Sequence, residues 1–129
     1  MDGRQLVDML DILRNEAEKS GSDFDALYQV LAQGIQEGTT RILRHGNTLL
    51  IYDILSPGVA EIHMATMDEP RDIVEALKSF YHAFKVAGFK KLILEDEDPN
   101  VMRYLDMAKI AHEDSTNESG YEITIEVTS

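Results

Sequence analysis

Val59-Ala60-Glu61-Ile62-His63-Met64-Ala65-Thr66, then Met67-Asp68-Glu69-Pro70, then Val86-Ala87-Gly88-Phe89-Lys90-Lys91-Leu92-Ile93-Leu94, is the stretch that decides the fold. Its first eight residues alternate. Val59, Glu61, His63 and Ala65 fall on one face of a strand, and Ala60, Ile62 and Met64 on the other. Pro70 is suited to the first turn of a helix, where acids also complement the dipole. Ile73, Val74, Leu77, Phe80, Tyr81 and Phe84 then recur at helical spacing over 70–87, and Gly88 supplies a stop. Lys91 to Leu94 reads as a short strand. A strand, a helix and a strand in one sheet imply a right-handed crossover and a parallel pair.

Upstream, Arg41 to Leu43 and Thr48 to Leu55 are rich in Ile, Leu and Tyr, and His45-Gly46-Asn47 between them forms a turn. Ser56-Pro57-Gly58 is a second turn, so residues 41–66 read as an antiparallel meander. Two amphipathic helices precede it. Leu6, Met9, Leu10, Leu13 and Ala17 mark the first over 4–19. Phe24, Leu27, Tyr28, Leu31 and Ile35 mark the second over 24–36. Gly21 and Gly38 end them, and Ser22 or Asp23 caps the second. Gly34, inside that helix, points to close packing. Downstream, Asp98-Pro99 opens a helix carrying Val101, Met102, Leu105 and Ala108. Residues 112–120 read as a polar loop. Tyr121, Ile123, Ile125 and Val127 alternate with Glu122, Thr124, Glu126 and Thr128, as in a half-buried strand. The order α-α-β-β-β-α-β-α-β predicts an α/β (α+β) mixed sheet with helices packed on it, as a single domain over 1–129: a helical hairpin over 1–38 and the sheet with two helices over 39–129.

The chain of 129 residues is 43% hydrophobic and 28% charged, an ordinary globular composition. Its net charge of -12 opposes nucleic acid and anionic membranes, which both select cationic surfaces. Protein partners are expected instead. With no cysteine, disulfides, thiolate metal sites and a Cys nucleophile are excluded. No apolar stretch approaches the roughly 20 residues of a membrane span, and the amphipathic N-terminus is unlike a signal peptide, so synthesis and folding in a cytosol are expected.

The quoted stretch, continued through Asp98-Pro99-Asn100, resembles the central portion of GNAT-type N-acetyltransferases, where a helix ending in Gly plus an aromatic feeds a strand and an Asn opens the next helix. Asn100 matches that Asn. The resemblance covers about half the chain closely and about two-thirds by element order. It implies a GNAT-like mixed sheet. Two departures bear on function. In the enzymes a Gly-rich loop after the third meander strand cradles the CoA pyrophosphate at a helix N-terminus. Here Met67-Asp68-Glu69-Pro70-Arg71-Asp72 contains no glycine, Pro70 removes a donor, and Arg71 offsets only one of three acids. The family's Tyr, seven residues after the Asn and general acid to the leaving thiolate, is replaced by Met107, with Tyr104 three residues earlier.

Lacking the glycine-rich loop, and with Ala60-Glu61-Ile62-His63-Met64 and Asp98-Pro99-Asn100, the chain resembles small GNAT-like proteins of short-tailed bacteriophages. That similarity implies a non-enzymatic, virion-associated structural protein, degenerate in the acyl-CoA loop, assembled in the host cytoplasm. It would act through virion components or self-association, with no cofactor, no nucleic acid and no membrane. One alternative is a divergent acyl-CoA-dependent N-acyltransferase, with Glu61 or His63 as base and Asn100 and Arg71 toward the donor. A second is an acidic mimic of DNA charge that inhibits a host protein.

Other chemistry is sparse. Glu61 and His63 share a strand face about 7 Å apart, as an acid/base pair or as a polar pair on a solvated face. His45, His82 and His112 lack zinc-like spacing, and no metal is expected. Glu95, Glu97, Asp96 and Asp98 form an acidic run without the alternation and central Gly of a calcium loop. Ser-centred elbows, P-loops and dinucleotide fingerprints are absent from the sequence.

Overall fold

The computed structural model describes residues 6–96, 100–117 and 120–127. Two helices, α1 (Met9–Ser20) and α2 (Phe24–Glu37), lead into strands β1 (Thr40–His45), β2 (Thr48–Ser56) and β3 (Val59–Thr66). Helix α3 (Pro70–Val86), strand β4 (Lys91–Asp96), helix α4 (Asn100–Met107) and strands β5 (Glu113–Asn117) and β6 (Gly120–Glu126) follow. One six-stranded sheet has the order β1-β2-β3-β4-β6-β5. Among the described residues only the β3–β4 pair is parallel, as the crossover through α3 requires. The mixed sheet read from the sequence is therefore present.

Local chemistry sets the helix ends. Asp8 and Asp23 accept N–H bonds from Leu10 and Asp25 at the starts of α1 and α2, at 2.9 and 3.0 Å. Gly21 and Gly38 close them at φ 70° and 80°. The first helix starts later than the apolar spacing suggests because Asp8 caps it. The segment 113–117, expected to be a loop, is an edge strand antiparallel to β6. The proposed Asp98 cap and Pro99 lie outside the described residues, as do Glu97 and the last residues.

The alternation in β3 divides two cores. Ala60, Ile62 and Met64 join Phe80 and Phe84 of α3, Leu105 of α4, and Ile123 and Ile125 of β6. Ala65, on the opposite face, packs with Ile12 and Leu13 of α1, Leu31 of α2, and Leu49 and Ile51 of β2. Tyr52, Phe84 and Phe89 meet edge to face in the larger core, at centroid separations of 5.0 to 6.0 Å. Gly34 brings α2 onto β1: a Cβ there would lie 2.1 Å from the Thr40 hydroxyl. No described helix is long and apolar enough to cross a membrane.

Candidate active site

The sheet opens where its one parallel ladder stops. Pairing between β3 and β4 runs from Val59↔Lys91 to Ile62↔Leu94 and ends there, although β3 continues to Thr66 and β4 to Asp96. On the outer sides both strands remain paired to their ends, β3 with β2 and β4 with β6. A strand directs its N–H and C=O groups alternately to its two neighbours. Alternate backbone groups from His63 onward therefore face a notch. The notch opens toward the loop that enters α3.

Glu61 and His63 bracket the start of this notch on the face carrying α1 and α2, and both are exposed. His63 Nε2 lies 3.3 Å from Glu16 Oε1 of α1, a contact to a carboxylate whose side chain is only 20% exposed. Glu61 stands opposite Asp53 in the β2–β3 register. Directly opposed antiparallel residues place their Cβ atoms about 5 Å apart, so these two acids face the same space. Asp53 is held by the hydroxyl of buried Thr40, which donates to Oδ1. The result is a carboxylate-lined wall of Glu16, Asp53 and Glu61 with one imidazole in it. Such a wall favours a cation and offers groups able to take a proton.

The loop into α3 is organised differently from the reading of its charges. Asp68 does not point at a ligand position. Its Oδ2 accepts the Asn47 N–H at 3.0 Å and the Thr48 hydroxyl at 2.7 Å. The Thr48 and Thr66 hydroxyls meet at 2.7 Å, and the Asp68 N–H donates to Thr66 Oγ1 at 3.0 Å. The Asn47 carbonyl takes the Met67 N–H at 3.0 Å. Asn47 and Thr48 are buried, so the Asp68 charge is spent inside the molecule on the β1–β2 turn. The same turn anchors the chain ahead of α1: Asn47 Oδ1 accepts from Val7 N–H at 2.9 Å and from Arg44 at 3.2 Å, and Arg44 also donates to the Val7 carbonyl.

At the entry to α3, the Glu69 carbonyl accepts the N–H groups of Asp72 and Ile73 at 2.9 and 3.0 Å. Glu69 makes no side-chain cap bond there, Pro70 has no N–H, and Arg71 is exposed. The first turn thus offers an anion the Arg71 guanidinium and amide, opposed by Glu69 and Asp72. A pyrophosphate fits this end poorly, while the notch fits an extended chain bearing amides.

The remaining predicted residues scatter. Asn100 opens α4 and is exposed beyond the end of β4. Met107 is 54% exposed, while Tyr104 packs against the larger core. His45 ends β1 and does not lie in a loop; His82 is exposed on α3. His112 precedes β5 and bonds Asp106 at 2.9 Å, at the far edge of the sheet from the notch. No group of three or more metal-ligating side chains occurs among the described residues. Sequence reasoning missed Glu16, which meets His63 only because α1 packs on the sheet.

No family model matches the chain, and no curated protein matches it. Solved structures do. A putative acetyltransferase of the GNAT family from Desulfovibrio desulfuricans is 13% identical and superposes with a TM-score of 0.62, over 97% of both chains. Spermidine N-acetyltransferase from Vibrio cholerae, in complex with CoA and spermine, is 13% identical with a TM-score of 0.59, over 82% of this chain and 76% of that one. The GNAT domain of S. lividans PAT is 15% identical with a TM-score of 0.49, and the chain spans little more than half of it, 57%. The fold is GNAT-like. The expectation of a non-enzymatic virion protein is corrected by the D. desulfuricans and V. cholerae neighbours, one a putative acetyltransferase and the other a spermidine N-acetyltransferase. Its argument counted Asp68 among three charges facing a donor phosphate, and Asp68 is turned into the β1–β2 turn.

Proposed function

We propose that the chain is a divergent acyl-CoA-dependent N-acyltransferase that acts at the β3–β4 notch. The observation that carries this reading is the parallel ladder that stops at Ile62↔Leu94 while both strands continue. An extended thioester arm with amide groups can add to β3 beyond its pairing with β4 as a short strand, with the backbone supplying the hydrogen bonds. The thioester then lies beside the wall of Glu16, Asp53, Glu61 and His63.

That wall suits a cationic amine as acceptor, the chemistry of the spermine held by the V. cholerae neighbour. The ammonium form must first lose one proton, and Glu61 takes it, directly or through one water. The neutral nitrogen attacks the thioester carbonyl, a C–N bond forms and the C–S bond breaks. The second proton lost by nitrogen ends on the thiolate sulfur. Met107 cannot donate that proton, so in this reading solvent supplies it. Glu16 holds the His63 ring against α1, and together they fix the acceptor's charge. The donor is held mainly through its amides at the notch, with Arg71, opposed by Glu69 and Asp72, as a weak contact for its phosphates and Asn100 at the mouth beyond β4.

The test is thiol release from acetyl-CoA in the presence of an amine panel containing spermine and simple primary amines. Release that depends on the amine and falls at least a hundredfold in Glu61→Gln, with the fold intact by circular dichroism, is expected. Release independent of the amine, or unchanged in Glu61→Gln, contradicts the assignment.

A further inference from the structure

Lys19, near the end of α1, is a base that the acyltransferase reading does not use. Its Nζ lies 3.4 Å from the Thr66 carbonyl oxygen. The strand register shows where that carbonyl points. The Met67 N–H donates to the Asn47 carbonyl, and the Ile54 N–H donates to the Thr39 carbonyl. In antiparallel pairing a residue turns its N–H and C=O to the same neighbour. Even-numbered residues of β2 therefore bond β1, and odd-numbered ones bond the odd-numbered residues of β3. Met64 and Thr66 turn their backbone groups the other way, to the notch. The Lys19 ammonium thus stands at the notch, at the end from which the chain leads into α3. Met67, Asp68 and Glu69 alone separate Thr66 from Pro70, the first residue of that helix.

We propose that Lys19 is a binding residue for the phosphates of the acyl-CoA donor, supplied by α1 where the loop into α3 lacks glycines, an inference that rests on the acyltransferase reading. A donor whose amides lie along β3 and whose phosphates reach Arg71 must pass the Thr66 carbonyl, where Lys19 stands. An ammonium donates three hydrogen bonds, and the carbonyl uses one. Asn15, one turn earlier in α1, also donates to that carbonyl, through Nδ2 at 3.5 Å. An uncharged side chain therefore already ties α1 to the end of β3, and the tie does not require the Lys19 charge. Lys19 is exposed, and among the described residues no carboxylate lies within ion-pair distance of it. Glu16, three residues earlier, is directed to His63. The Glu16, Ala17 and Glu18 carbonyls at this end of α1 are taken by the Ser20 hydroxyl and by the Ser22 and Gly21 N–H groups. Arg44 does not serve here: it is spent on the Gly46 and Val7 carbonyls and on Asn47 Oδ1, at the β1–β2 turn. Acids crowd the α3 entry. Glu69 and Asp72 flank Arg71, and β4 ends in Glu95 and Asp96. One guanidinium does not offset them for a polyanionic donor, and Lys19 gives the phosphates a second cation.

The experiment is calorimetric titration of the full chain with acetyl-CoA and, separately, with S-acetylpantetheine, which has the same amide arm and no phosphate. The parent is expected to bind acetyl-CoA roughly tenfold more tightly than S-acetylpantetheine, with the difference shrinking as salt rises. Lys19→Gln keeps an N–H donor for the Thr66 carbonyl and loses the charge. It is expected to weaken acetyl-CoA binding by roughly tenfold and to leave S-acetylpantetheine binding unchanged. Lys19→Arg is expected to restore acetyl-CoA binding. Unchanged acetyl-CoA affinity in Lys19→Gln, or equal weakening of both ligands, overturns the role of Lys19 while the notch reading stands. Failure of the parent to bind either ligand overturns both.

Discussion

Replacing Gly34 by alanine sets two physical effects against each other. Helix propensity alone favours alanine in the interior of α2 by about 1 kcal/mol. Packing opposes it. The new methyl would sit 2.1 Å from Thr40 Oγ1 and 2.8 Å from Thr40 Cβ, distances that van der Waals radii forbid. Thr40 cannot swing away cheaply. It is 8% exposed in β1, and its hydroxyl donates to the Asp53 carboxylate. Losing a hydrogen bond to a charged group costs about 1.5–3 kcal/mol, and displacing α2 from the strand costs about 1–3 kcal/mol more. Packing therefore wins, and Gly34→Ala should destabilise by about 2–4 kcal/mol, a drop in Tm on the order of 10 °C for a chain this size. The assay is urea denaturation followed by circular dichroism, with Thr40→Ala and the double variant completing a cycle. Thr40→Ala removes the closer of the two obstructing atoms, so the double variant should be at least 1 kcal/mol more stable than additivity predicts. A Gly34→Ala protein more stable than the parent, or an additive cycle, would refute the reasoning.

Three further outcomes are expected. Lys109 holds φ 60°, where its N–H and that of Ile110 close α4 onto the Asp106 and Leu105 carbonyls, both at 3.0 Å; Lys109→Gly should raise stability by about 1 kcal/mol in denaturant titrations. Thr48→Val leaves the half-buried Asp68 carboxylate without its 2.7 Å donor, so it should cost about 2 kcal/mol and should speed amide exchange at Asn47 and Met67. Removing the exposed charge at the α3 entry with Glu69→Gln should tighten acetyl-CoA binding by roughly fivefold at low salt, with the gain shrinking as salt rises, measured by calorimetric titration.

Much of the architecture was legible because it is written in periods. The alternation through β3 put Ala60, Ile62 and Met64 on one face and Ala65 on the other, and the structure makes these faces two cores; Gly34 pointed to close packing, and the structure identifies Thr40 as what it meets. The edge strand β5 was not legible. Glu113-Asp114-Ser115-Thr116-Asn117 has no apolar alternation, and an edge strand with one paired neighbour does not require it. The site was legible in its positions and not in its contacts. Glu61 and His63 do share a face, yet the imidazole meets Glu16 from a helix far back in the sequence, and no local pattern encodes that contact. The charges before α3 were read as a sum, but a carboxylate's effect depends on where it points. Asp68 points into the turn at Asn47 and Thr48.

The most direct test of the central claim is to map acetyl-CoA onto the protein by amide chemical shifts, titrating the ligand to millimolar concentration into ¹⁵N-labelled chain. The account predicts the largest shifts at His63 to Thr66 on β3 and at Glu95 and Asp96 on β4, with smaller ones at Arg71. Shifts confined to residues away from the notch, or none at all, would contradict it.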